Sequence, residues 1–91
     1  MTTSLEKTVR ISNKRGLHAR AAAKFVKLVE NQKADVTVSK DNVSVCGSSI
    51  MGLLTLSASI NTQIHIVVKG DNAPATLEEL VGLVERRFDE E

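Results

Sequence analysis

Lys7-Thr-Val-Arg-Ile-Ser-Asn-Lys-Arg-Gly-Leu-His-Ala-Arg-Ala-Ala-Ala-Lys-Phe-Val-Lys-Leu-Val29 changes its hydrophobic period midway, and that change decides the fold. Over 7–13, Val9 and Ile11 fall on one side and Thr8, Arg10 and Ser12 on the other, the two-residue period of a half-buried strand. From Ala19 the period lengthens. Ala22, Phe25, Val26 and Val29 lie at i, i+3, i+4 and i+7 and form one apolar helical stripe. Between the two, Asn13-Lys14-Arg15-Gly16 is a break, glycine being the residue that most readily takes positive φ. His18 then stands at the helix start. The first backbone N–H groups of a helix lack intrahelical partners, and the dipole puts roughly half a positive charge there. Arg20, Lys24 and Lys27 form a second row that continues the surface on which His18 opens.

Downstream the same two periods alternate. The first helix ends at Asn31-Gln32-Lys33, and residues 34–39 form a strand with Val36 and Val38 inward. Lys40-Asp41-Asn42 is a turn that folds Val43–Cys46 back as a hairpin. After Gly47, Ser48 and Ser49 offer N-cap hydroxyls to a short helix from Ile50 to about Leu56. Leu53 and Leu56 face the core of this helix. Ile50, Met51 and Leu54 cannot all be buried beside them, which predicts an exposed apolar patch, with ordinary core as the alternative. Asn61-Thr62 leads into a strand over Gln63–Lys69 with Ile64, Ile66 and Val68 inward, closed by Gly70-Asp71-Asn72. The longest helix is expected over 73–88. It has Pro74 in its first turn, Glu78 and Glu79 near its start, Arg86 and Arg87 near its end, and Leu77, Leu80, Val81, Val84 and Phe88 as its stripe. Asp89-Glu90-Glu91 reads as a solvated tail. The order β-α-β-β-α-β-α with one-sided strands defines an α+β chain whose antiparallel sheet has one open face and one face covered by helices.

With 91 residues, 42% of them hydrophobic, the chain is expected to be one domain over 1–91 with its core in about 7–88. Its first residues lack the basic and apolar pattern of a signal peptide, and nothing approaches the ~20 apolar residues of a membrane span. A cytoplasmic protein without membrane insertion is the expectation. Cys46 is the lone cysteine, so neither an internal disulfide nor a thiolate zinc site is available, and no metal or cofactor is read. Cys46 is expected to be a small buried residue and His65 surface filling. Charge is uneven: residues 1–40 hold nine Lys and Arg against three Asp and Glu, and residues 41–91 hold three against eight. That puts a basic surface around the first helix, suited to anions or acidic partners.

His18 has two local readings, a capping or surface histidine and a nucleophile. A neutral imidazole attacks phosphorus near neutral pH and yields an N–P bond that passes its phosphoryl group on. At a helix start that charge meets backbone N–H groups, Arg20 can grip its oxygens with a planar fork, and Lys24 adds charge. Ser49 is an N-cap first, but an exposed cap can also accept a phosphate, which would sit on the helix dipole and obstruct the apolar patch.

Two motifs carry a family resemblance. Gly16-Leu17-His18-Ala19-Arg20, with the Ala-Lys-Phe-Val-Lys-Leu that follows, resembles the active-site segment of the HPr family, the phosphocarriers of the bacterial phosphoenolpyruvate-dependent phosphotransferase system. Gly47-Ser48-Ser49-Ile50-Met51-Gly52-Leu53-Leu54 resembles its regulatory-serine segment. The resemblance implies an open-faced β-sandwich, a four-stranded antiparallel sheet with three helices on one face. It also implies that His18 accepts a phosphoryl group, on Nδ1, from phosphorylated Enzyme I and gives it to a IIA-type protein. Arg20 would support the phosphate and Ser49 would be the target of an HPr kinase/phosphorylase. Arg20, Lys24, Lys27, Ile50, Met51 and Leu54 would make the docking surface of a monomeric relay with no turnover of its own. Ala21 replaces the family's usual proline and restores a backbone donor, and Ser48 stands where many members have a basic residue. The Glu85-to-Glu91 end is reminiscent of the nitrogen-related branch, a regulatory rather than sugar-transport system. Two other readings remain: a regulatory partner-binder of the same fold acting through Ser49, and a small nucleic-acid-binding module. The latter lacks exposed aromatics for base stacking, since Trp and Tyr are absent and both Phe residues fall in helical stripes.

Overall fold

Alternating residues become four strands in the computed structural model, which describes residues 4–90. They are β1 (Ser4–Arg10), β2 (Asp35–Lys40), β3 (Val43–Cys46) and β4 (Gln63–Lys69), joined in one antiparallel sheet of order β1-β4-β2-β3. β4 is central because its partners are set on both sides: Val9 faces Ile64 across β1, and Val38 faces Ile66 across β2. Register therefore puts Val9, Val36, Val38, Ile64, Ile66 and Val68 on one face, where all are buried. Thr8, Thr37, Ser39 and His65 share the other, which is open.

Three helices cover the apolar face, α1 (Ala19–Gln32), α2 (Ile50–Thr55) and α3 (Ala73–Glu85). The α1 stripe is Ala22, Phe25, Val26 and Val29, as its spacing predicts, widened by Ala21. Leu53 and Leu56 enter the core from α2 and the residue that caps it. This is the open-faced α+β sandwich expected from the periodicity and the resemblance. Gly16 locks the chain between β1 and α1: its φ is +64°, and an added Cβ would lie 2.5 Å from the Ala58 carbonyl oxygen. The neighbouring Leu17 N–H donates to that same oxygen at 2.8 Å. The loop carrying His18 is thereby pinned to the segment after α2.

Two expectations need correcting. β1 begins earlier than expected and ends at Arg10, because Ile11 turns its backbone to the 61–62 loop, donating to Thr62 and accepting from Asn61. The last helix does not run to residue 88. It stops at Glu85, and Arg87, Phe88 and Asp89 follow with φ of 60°, 56° and 60°, a left-handed turn built without glycine. Left-handed backbone costs about 1–2 kcal/mol per residue. Burial of Phe88, which is fully enclosed, returns about 3 kcal/mol. Three hydrogen bonds add about 1 kcal/mol each: Lys24 Nζ to the Phe88 carbonyl (2.7 Å), Asp89 N–H to Arg86 and Glu90 N–H to Arg87 (both 3.1 Å). The two sides are of similar size, so Phe88 decides whether the turn forms. A continued helix would have carried residues 86–90 away from the loop before α1.

Phe88→Ala is expected to lower unfolding stability by about 3–5 kcal/mol, read from the urea midpoint at unchanged slope. An unchanged midpoint would mean that Phe88 is not the anchor of this turn.

Candidate functional site

His18 is the N-cap of α1, with extended backbone (φ −87°, ψ 179°), and its carbonyl accepts the Ala22 N–H at 2.8 Å. Its side chain does not cap the helix. The first-turn N–H groups of Ala19, Arg20 and Ala21 therefore receive no side-chain acceptor from the cap residue; Ala19 and Arg20 are exposed, whereas Ala21 is fully buried. The ring is held from behind. Its Nε2 hydrogen-bonds to the Glu90 carboxylate, the other oxygen of which accepts from Asn13 Nδ2 at 3.1 Å. Asn13 is itself buried, and the same amide nitrogen donates to the Gly16 carbonyl at 2.8 Å. Two acceptors facing one amide fix its orientation, leaving Asn13 Oδ1 unpaired among the described residues. No group among the described residues bonds to His18 Nδ1.

Sequence reasoning placed Asn13 only in a turn and Glu90 in a solvated tail. The structure brings Glu90 to His18 and Asn13 to Glu90, while Glu91 lies outside the described residues. Periodicity carries no signal for such a contact; the sole hint is a large aromatic, Phe88, in an otherwise charged terminal segment. Asp89 ion-pairs with Arg86 (2.9 Å), which holds its carboxyl below the usual carboxylate range. Glu90 is drawn two ways. Partial desolvation pushes its carboxyl up, but hydrogen bonds from His18 and Asn13 outweigh this, and its pKa lies below the ordinary 4.5.

The predicted basic row divides on inspection. A cleft of about 410 Å³ is lined by Asn13, Lys14, Arg15, Arg20, Lys24, Asp89 and Glu90; His18 does not line it and adjoins it through its contact with Glu90. Arg20 is exposed and has no ion-pair or hydrogen-bond partner among the described residues. Lys24 is engaged with the Phe88 carbonyl, and it also lines, with Lys27, Leu83 and Arg86, a second cleft that Arg20 does not reach. His65, read as surface filling, is instead tied at both ring nitrogens on the open sheet face. Thr8 Oγ1 lies 2.8 Å from Nδ1, and Glu6 Oε1 lies 2.6 Å from Nε2. Of the two histidines, His18 alone has a ring nitrogen without a partner among the described residues.

Ser49 caps α2 as its position suggests, accepting the Gly52 N–H at 2.9 Å. Ile50 and Met51 are exposed, Met51 at 72%, whereas Leu54 is half-buried and packs on the core. Cys46 is exposed rather than buried, because its β3 position falls on the open side of the sheet edge. Its thiol shares a hydrogen bond with Ser48 Oγ (2.9 Å), and this is the main reason its pKa falls below 9.0.

An imidazole with no partner on one nitrogen among the described residues, at a helix start its own side chain does not cap and two residues before an exposed, unpaired arginine, can take up an anionic group and hand it on. Comparison with known proteins gives the same class. The family pattern described as "PTS HPr component phosphorylation site" matches residues 5–86. Phosphocarrier protein NPr of Shewanella violacea is 39% identical over 88 residues, 97% of each chain. Phosphocarrier protein HPr of Pseudomonas aeruginosa is 42% identical over 83 residues, 90% of this chain and 92% of its own. Among solved structures, HPr from Thermoanaerobacter tengcongensis superposes with a TM-score of 0.91 at 39% identity, covering 96% of this chain and 98% of that one. The chain belongs to the HPr family of phosphocarrier proteins.

Two expectations follow from the geometry. Ser49→Ala should cost about 1 kcal/mol through loss of the α2 cap, measured by chemical denaturation. A carboxyl with a depressed folded pKa stabilises its contact above its unfolded value and loses that contribution as pH falls through the folded one. The NMR signals of Asn13 and His18 should therefore report undocking of Glu90 on acidification below pH 4.5, and no transition there would contradict the contact.

Proposed function

We propose that His18 accepts a phosphoryl group from phosphorylated Enzyme I of the phosphotransferase system and passes it to a IIA-type acceptor, in the cytoplasm and as a monomeric single-domain carrier. The lone pair of Nδ1 attacks phosphorus, an N–P bond forms, and the bond to the donor atom breaks with its electron pair remaining on the donor. The acceptor protein repeats the step in the opposite sense. What supports this reading above all is the bare Nδ1 of His18 at the uncapped start of α1, whereas both nitrogens of His65 are occupied. The exposed Ala19 and Arg20 N–H groups and the Arg20 guanidinium then meet the charge on the transferred group. Ala21, where the family usually has proline, is fully buried.

Ile50 and Met51 supply exposed apolar surface for partner docking, with half-buried Leu54 on the same short helix. Arg20, Lys24 and Lys27 of α1 are the basic part of the proposed docking surface, Lys24 and Lys27 lining a cleft against α3. Phosphorylation of Ser49 by a kinase would place two negative charges at this surface and weaken docking. The nucleic-acid reading loses its footing because Phe25 and Phe88 are both fully buried. A partner-binder working through Ser49 remains the second reading, favoured by the exposure of Met51. It predicts that Ser49→Asp abolishes partner binding while His18→Ala behaves as wild type.

Incubation with phosphoenolpyruvate and Enzyme I should add the mass of one phosphoryl group to the wild type and none to His18→Ala. Arg20→Ala should slow uptake roughly 10- to 100-fold, since a hydrogen bond to a charged group contributes about 1.5–3 kcal/mol. No gain on the wild type, or an equal gain on His18→Ala, would end the reading.

A further inference from the structure

We propose that Glu90 is the positioning residue of His18, holding the proton on Nε2 so that Nδ1 is the attacking nitrogen, with Asn13 in turn aiming the Glu90 carboxylate. The inference rests on the proposed phosphoryl transfer to His18 and adds what prepares the ring for it. A carboxylate accepts hydrogen bonds and cannot donate, so contact with Glu90 requires the hydrogen on Nε2, and in the neutral ring this leaves the lone pair on Nδ1. Asn13 Nδ2 bridges the Gly16 carbonyl and Glu90 Oε1, tying the carboxylate to the loop that carries His18. The arrangement has the logic of a base oriented by a third group, with a buried amide behind the carboxylate.

Glu90 does not reach this place by relaxation of a loose segment. The left-handed turn at Arg87, Phe88 and Asp89 delivers it, and that turn is held by buried Phe88 and by Lys24, itself a member of the α1 row. Two elements far apart in sequence are thus coupled at one imidazole. Charge gives the contact a role in the reaction as well as in the resting ring. When the Nδ1 lone pair forms the N–P bond while the Nε2 proton stays in place, the ring becomes cationic, and the Glu90 carboxylate lies against that positive charge. When the phosphoryl group leaves, the N–P electron pair returns to Nδ1, and the Nε2 proton has not moved. The carboxylate sits on the Nε2 side of the ring, so it does not occupy the place of the incoming group.

The test compares wild type, Glu90→Ala and Glu90→Gln, each with Phe88 retained so that the turn keeps its anchor. The first readout needs no phosphate: the His18 Nε2–H signal in nitrogen-15-resolved proton NMR at neutral pH and low temperature. The wild type should show a hydrogen-bonded, slowly exchanging Nε2–H. Glu90→Ala should lose it, and Glu90→Gln should keep it in weakened form, because the Gln amide oxygen still accepts from Nε2 while its NH2 group then faces the Asn13 amide donor. The second readout is the rate of phosphoryl uptake from Enzyme I, expected to fall about tenfold in Glu90→Ala, as when a carboxylate that orients a histidine is removed elsewhere, and to be partly rescued in Glu90→Gln. Persistence of the Nε2–H signal in Glu90→Ala would overturn the proposal, and so would a rate equal to or above that of the wild type. The NMR contrast without phosphorylation of any variant would support Glu90 as the holder of the ring while refuting phosphoryl transfer to His18.

Discussion

Burial of Phe88 is the interaction on which the geometry around His18 depends. The side chain can enter the core only if the chain abandons α3 after Glu85 and turns left-handed, a conformation that three non-glycine residues adopt at a cost comparable to the gain from burial. The consequence lies at the other end of the domain's sequence. Once Phe88 is seated, Lys24 caps its carbonyl from α1, and Glu90 meets Asn13 and His18 from the strand-to-helix loop. Core packing and site geometry are therefore one problem in this chain.

The starts of α1 and α2 show how local chemistry separates roles. Ser49 turns its hydroxyl into α2 and accepts from Gly52, so that start is satisfied internally. His18 turns its ring away from α1 toward Glu90, and the first-turn N–H groups of α1 are left to an outside acceptor. A histidine at an N-cap position is a weak cap. That weakness leaves an anion-attracting end exposed beside a nucleophile. Arg20, free of partners among the described residues, completes the positive surroundings, while Lys24 has been diverted to structural duty.

Much of the fold is legible in the sequence because it follows from one-dimensional periods. Val36 and Val38, or Ile64, Ile66 and Val68, declare their face by alternation, and the α1 stripe declares its own by helical spacing. The positions of His18 and Ser49 at helix starts are legible for the same reason. Glu90 and Asn13 were not. Their contact joins residues 77 positions apart and depends on a backbone turn that no propensity favours at Arg87-Phe88-Asp89. Phe88 fitted the apolar stripe of a longer helix equally well, so its burial was foreseen while the path into the core was not. Cys46 shows the complementary failure: hydrophobic character suggests burial, but an edge-strand position left the thiol exposed beside Ser48.

The central claim is that Glu90 occupies Nε2 and commits Nδ1 of His18 to the phosphoryl group. The most direct measurement is nitrogen-15 and phosphorus-31 NMR of the phosphorylated protein labelled at its histidine ring nitrogens. The account predicts phosphorus coupled to Nδ1 of His18, with a proton retained on Nε2. Phosphorus on Nε2, or on His65, would contradict it.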